Sequence, residues 1–127
     1  SKLAIRVSGN IVELTVDQPF RQVRRGGSLW AKVGPYIYLF TQETETLLRR
    51  YPGLSGVRVI TRTDLDKKEV ARAFLHRDSL NELTWRRAKN IAGKARTDGT
   101  WRPVLLEELV EWGQEHTEFG YSEEFIG

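Results

Sequence analysis

FRQVRRGGSLWAKVGPYIYLFT, residues 20–41, is the stretch on which the reading of the fold turns. Gly26-Gly27 supplies positive φ at no steric cost and reads as a hairpin turn. Gly34-Pro35 is a second turn signal, separating SLWAKV from YIYLFT. Read this way, the segment continues a meander that begins upstream. There LAIRVS alternates apolar and polar residues, Gly9-Asn10 offers a turn, and IVELTV alternates again, with Leu3, Ile5 and Val7 on one face. Residues 3–41 are therefore expected to form four or five antiparallel strands.

After Thr41 the period changes. TQETETLLRRYPGL places acids in a first helical turn and arginines in the last, which suits the helix dipole, and Pro52-Gly53 ends it. GVRVITR is a β-branched run that predicts one strand near 57–62. Thr63 or Asp64 is a cap for a helix over DLDKKEVARAFLHR, with Val70, Ala71, Phe74 and Leu75 inward. Ser79 or Asn81 opens another helix reaching about Arg96, Thr97-Asp98-Gly99 makes a loop, and Pro103 suits the first turn of a last helix, VLLEELVEW. FGYSEEFIG reads as a tail, docked by Phe119, Tyr121 and Phe125. The fold class is α+β, an N-terminal antiparallel β-meander packed against a C-terminal helical layer. The division is a single domain, 1–41 mainly β, 42–117 mainly α, and 118–127 a tail.

With 127 residues the chain has the size of one ordinary domain, and 39% hydrophobic residues supply one core rather than a disordered chain. No apolar run is long enough to span a bilayer, and no secretory leader is visible, so a soluble, cytoplasmic protein with no membrane partner is expected. The absence of cysteine removes disulfides, thiolate chemistry and zinc ribbons.

Charge is distributed unevenly. Residues 1–103 carry all 20 Lys and Arg with 10 acids, whereas residues 104–127 carry seven glutamates and no cation. Such a dipolar chain steers a polyanion to one face. The cations concentrate in TWRRAKNIAGKARTDGTWRP, residues 84–103. On a helix, Leu80, Ala88, Ile91, Ala92 and Ala95 share one arc, with Trp85 at its edge. Arg86, Arg87, Lys89, Lys94 and Arg96 cover the opposite side. Gly93 lies within that stripe at a cost of roughly 1 kcal/mol relative to alanine, which suits close approach of another backbone. Spacing and arginine content fit bidentate phosphate contacts. The plainer reading is a solvated face whose cations pair with nearby glutamates. Arg21, Arg24 and Arg25 beside the Gly-Gly turn form a second cationic feature. Trp30, Tyr36 and Tyr38 then either stack on bases or fill the core.

The leading functional reading is non-catalytic binding of DNA or RNA, through Arg86, Arg87, Lys89, Lys94 and Arg96 with Arg24 and Arg25. The alternative is a protein-interaction module or self-association, docking through Glu107, Glu108 and Glu111 of the acidic helix and through Phe119 and Tyr121 of the tail. A helix-turn-helix is rejected because its recognition helix would be the acidic one. His76-Arg77-Asp78 spells a kinase-loop tripeptide without the rest of the kinase signature. Asp64, Asp66 and Glu69, with Lys67 and Lys68, imitate a metal-dependent nuclease cluster, although acids in a first helical turn follow from the dipole alone. His76 and His116 are the remaining acid–base candidates. There is no P-loop, GxGxxG, GxSxG or HExxH, and no metal or cofactor is expected.

Overall fold

The computed structural model describes residues 2–82, 84–98 and 102–126, with the backbone alone described for Lys2, residues 20–26, Glu82 and Asp98. Among the described residues the chain runs β1 (Lys2–Ser8), β2 (Ile11–Gln18), α1 (Phe20–Leu39), α2 (Gln42–Arg50), β3 (Gly56–Thr63) and β4 (Glu69–His76). A 3-10 turn (Arg77–Glu82), α3 (Trp85–Asp98), α4 (Pro103–His116), β5 (Glu118–Tyr121) and α5 (Glu123–Ile126) follow. The strands form one mixed sheet in the order β1-β2-β3-β4-β5. Only β2 and β3 pair in parallel, and α1 and α2 make the crossover between them.

The α+β class stands, and so does the antiparallel N-terminal meander, whose β1 and β2 pair without a break from Lys2↔Asp17 to Ser8↔Ile11. The segments expected to extend it, between residues 20 and 39, are helical instead. Gly27, at φ 66° and ψ −156°, kinks this helix and makes no hairpin. Pro35 lies inside it. The reason is burial on all sides: α1 packs against β3 and β4 and also against α3, α4 and α5. Residues 33–37 are all buried, so this stretch of the helix shows no polar face and its period is hidden. Burying Val33, Tyr36, Ile37 and Phe40 contributes roughly 1.5–3 kcal/mol each. Together they outweigh the roughly 3 kcal/mol cost of an interior proline.

Strand β4 is a second correction. EVARAFLH is a strand and not a helix, and it pairs with β3 from Gly56↔His76 to Arg62↔Glu69, with an irregularity at Thr61/Arg62. Its side chains alternate: Ala71, Ala73 and Leu75 are buried, while Arg72 and His76 are exposed. The expected tail is also structured, as β5 and α5. The Tyr121 hydroxyl lies 2.8 Å from that of Tyr36, and Phe125 packs against Ala31, Val70 and Ala71.

Other elements follow their sequence signals. Thr41 caps α2, its hydroxyl accepting from the Thr44 amide, with Glu43 and Glu45 in the first turn and Arg49 and Arg50 in the last. Pro103 sits at the start of α4. One core joins Val12, Val16, Val57, Val59 and Leu75 of the sheet to Phe40, Trp85, Ile91, Leu106 and Leu109. One sheet face is thus covered by helices, and the described residues leave the other face open.

Candidate nucleic-acid interface

The cationic side of α3 is present, but much of it is occupied. Arg87 makes a two-point contact with Glu108 of α4, its Nη2 donating to Oε1 at 2.9 Å. That guanidinium holds the Glu108 carboxyl below its usual range. Lys89 donates to Glu45 of α2 and to the Gln42 side chain, both at 2.8 Å. Lys89, then Arg49, lower the Glu45 pKa against the opposing effect of burial. Arg96 donates to the Ile37 carbonyl. Arg86 and Lys94 are exposed. Arg87–Glu108 thus joins the basic helix to the acidic one, whereas Lys89 turns to α2 and Arg96 to α1. Surface pairs of this kind contribute about 0–1 kcal/mol, so their effect on charge outweighs their effect on stability.

Arg24 and Arg25 belong to helical backbone, which removes the expected Arg-rich hairpin; their side chains lie outside the described residues. Tyr36 is core and not a base-stacking residue. Its burial, then the Tyr121 hydrogen bond, push its phenol well above the usual range.

Glu107 and Glu111 are exposed on α4 and line a cleft with Ser28, Lys32 and Gln114. Phe119 is 45% exposed, whereas Tyr121 is half-buried and tied to Tyr36 and to Gln114. Asp64 and Asp66 fall in the β3–β4 turn, and Glu69 pairs with Arg72. Asp66 accepts from the Thr63 hydroxyl, which lowers its pKa. Among the described residues no group of three or more His, Asp or Glu is placed to hold a metal. His76 lies 3.4 Å from Asp78, and His116 packs on Trp112, so the two histidines have separate surroundings.

The cationic surface that sequence reading missed is the open face of the sheet. Alternation along the strands sends Val57, Val59 and Thr61 to the helices and Arg58, Ile60 and Arg62 outward. Glu13 and Asp17 of β2, Arg6 of β1 and Arg72 and Phe74 of β4 share that outer side. Glu13 accepts from Arg6 at 3.0 Å and from Arg58 at 3.1 Å. Asp17 accepts from Arg62 at 3.0 Å and from Lys67 at 2.7 Å. The Asp17 carboxyl is held below its usual range, first by the Lys67 hydrogen bond and then by Arg62, against burial. The carboxylates are sunk, with Glu13 and Asp17 side chains 11% and 5% exposed, while Arg6 is 70% and Lys67 48% exposed. The outer layer is therefore cationic and is held in place from beneath.

An aromatic completes it. The Phe74 ring lies across Gly56, where an added Cβ would come within 2.5 Å of it, and the Arg58 guanidinium sits 5.3 Å from the ring centroid. His76 meets the same ring edge-on. Lys67 has φ 58°, unusual for a residue with a side chain. The cost is roughly 1–2 kcal/mol, and the Asp17 contact offsets part of it. Between β1 and β4 five cations (Arg6, Arg58, Arg62, Lys67, Arg72) share this side with three carboxylates, of which Glu13 and Asp17 are sunk and Glu69 is about as exposed as its partner Arg72, with Glu118 beyond them on β5. Period-two placement of arginines in VRVITR and ARAF is the signal for this face, legible once both are read as strands. Among the described residues no helix is long and apolar enough to cross a membrane. No protein-family model, no curated protein and no solved structure matches the chain.

Proposed function

We propose that the chain binds single-stranded DNA or RNA along the open face of its sheet. Arg6, Arg58, Arg62, Lys67 and Arg72 meet phosphates, and Phe74 offers a stacking surface. One observation carries the reading: the guanidinium groups of Arg6, Arg58 and Arg62 are held over the sunken carboxylates of Glu13 and Asp17 on the open side of the sheet, beside the Phe74 ring. Fixed cations lose little entropy on meeting a phosphate, and base–aromatic stacking adds about 1–3 kcal/mol per base. A flat sheet suits splayed single-stranded bases better than a duplex groove. In this reading Arg86, Lys94 and the other α3 cations are secondary to the sheet face, which sets an aromatic ring beside its cations. A cytoplasmic, non-catalytic role goes with it.

A second reading, docking of a protein partner on α4 and β5, is supported by the exposed Phe119 of β5 and by the cleft that Glu107 and Glu111 of α4 line. Fluorescence anisotropy of a labelled oligonucleotide separates the two. Under the first reading the protein binds at low salt, Arg6→Gln/Arg72→Gln weakens binding roughly tenfold, and Arg86→Gln/Lys94→Gln changes it little. Absence of binding at low salt removes the first reading and leaves the second.

A further inference from the structure

We propose that β1 is the pairing edge for a second copy of this chain, in antiparallel register centred on Ile5. β1 is an outer strand of the sheet, in unbroken register with β2 over seven residues. Leu3, Ile5 and Val7 lie opposite Val16, Leu14 and Val12, on the face the helices cover elsewhere, yet they are 53%, 67% and 64% exposed. An edge with one exposed apolar row and without proline or bulge is a template for another strand, and proteins that stay monomeric usually block such an edge.

The sequence of β1 specifies the occupant through its charges. Three antiparallel self-registers put apolar residues opposite apolar residues, centred on Ala4, Ile5 or Arg6. Centring on Ala4 sets Lys2 opposite Arg6 of the second copy. Centring on Arg6 sets two arginines opposite each other. Like charges directly opposite are destabilising. Centring on Ile5 pairs Lys2 with Ser8, Leu3 with Val7 and Ala4 with Arg6, so no charge meets its like and the whole strand is used. Arg6 is also drawn toward β2 by Glu13, away from the free edge. The contact is isologous and closes after two copies. It joins two sheets into one, with both open faces continuous on the same side. This inference does not depend on what those faces bind.

Sedimentation velocity of the protein alone, over a concentration series, tests it. The expected result is a monomer–dimer equilibrium that Ile5→Lys abolishes, with an unchanged circular dichroism spectrum. Because the chain has no cysteine, Ile5→Cys offers an independent readout: under mild oxidation it forms a covalent dimer, while Leu3→Cys, opposite Val7, does not. A wild-type monomer at every concentration, a dimer that survives Ile5→Lys, or equal cross-linking at both positions overturns the proposal.

Discussion

The Arg58 guanidinium lies 5.3 Å from the centroid of the Phe74 ring, and that ring rests on Gly56, so cation, aromatic and bare backbone meet at one point on the open side of the sheet. Removing the ring removes the stacking partner while leaving the core intact. Phe74→Ala is expected to weaken single-strand binding by about 1–3 kcal/mol, with the salt dependence unchanged because no charge is lost. Anisotropy titrations at two salt concentrations check both halves of that statement.

Gly56 is required by contact and not by torsion. An added Cβ would lie 2.4 Å from the Leu75 carbonyl oxygen and 2.5 Å from the Phe74 ring. Gly56→Ala is expected to cost about 1–3 kcal/mol through overpacking, read as a lower midpoint in urea. If the clash with the ring dominates, Gly56→Ala/Phe74→Ala recovers part of the loss.

Two helix glycines are expected to respond with opposite signs. At Gly113 of α4 a Cβ would meet the Tyr36 ring at 2.5 Å, whereas at Gly93 of α3 its nearest contact is Arg96 at 3.6 Å. Gly113→Ala should destabilise by about 1–3 kcal/mol. Gly93→Ala should stabilise by about 0.4–1 kcal/mol through helix propensity. Thermal unfolding of both variants decides this. A Gly93→Ala variant that is more stable but binds nucleic acid poorly would restore α3 as the binding surface.

Asp17 predicts how the open face responds to acid. Its folded pKa lies below the unfolded value of about 3.9. The linked stability is therefore complete above pH 4 and is lost as pH falls through the lower folded value. Asp17→Asn should cost about 1–2 kcal/mol at neutral pH, the exposure of both cations moderating the loss. The variant should also lose less stability than wild type below pH 4. Urea midpoints measured from pH 7 to pH 2.5 give both comparisons.

The α+β class, the β1–β2 hairpin, β3, α2 and α4 were legible because each has either one wet face or a clear terminal signal. Central burial erased that signal for α1. Val33, Tyr36, Ile37, Leu39 and Phe40 read as a continuous apolar run, and Gly34-Pro35 as a turn, although Gly34 marks where α1 approaches the Gln18 side chain of β2. β4 was misread because Val70, Ala71, Phe74 and Leu75 fit a helical stripe as well as they fit a strand. That error hid the candidate site, since Arg72 and Phe74 share a face with Arg58 and Arg62 only when β4 pairs with β3. The helix that carries the α3 cations was legible, but the pairing of Arg87 with Glu108 and of Lys89 with Glu45 depends on tertiary placement that spacing does not encode.

The slope of log affinity against log salt concentration, for a labelled single strand, tests the central claim most directly. Each phosphate contact contributes about 0.7 to that slope for single strands. Arg6→Gln/Lys67→Gln/Arg72→Gln is expected to flatten it by about 2, with an unchanged circular dichroism spectrum, while Arg86→Gln/Lys94→Gln leaves it as in wild type. An unaltered slope in the sheet variant, or a flattened one in the α3 variant, would contradict it.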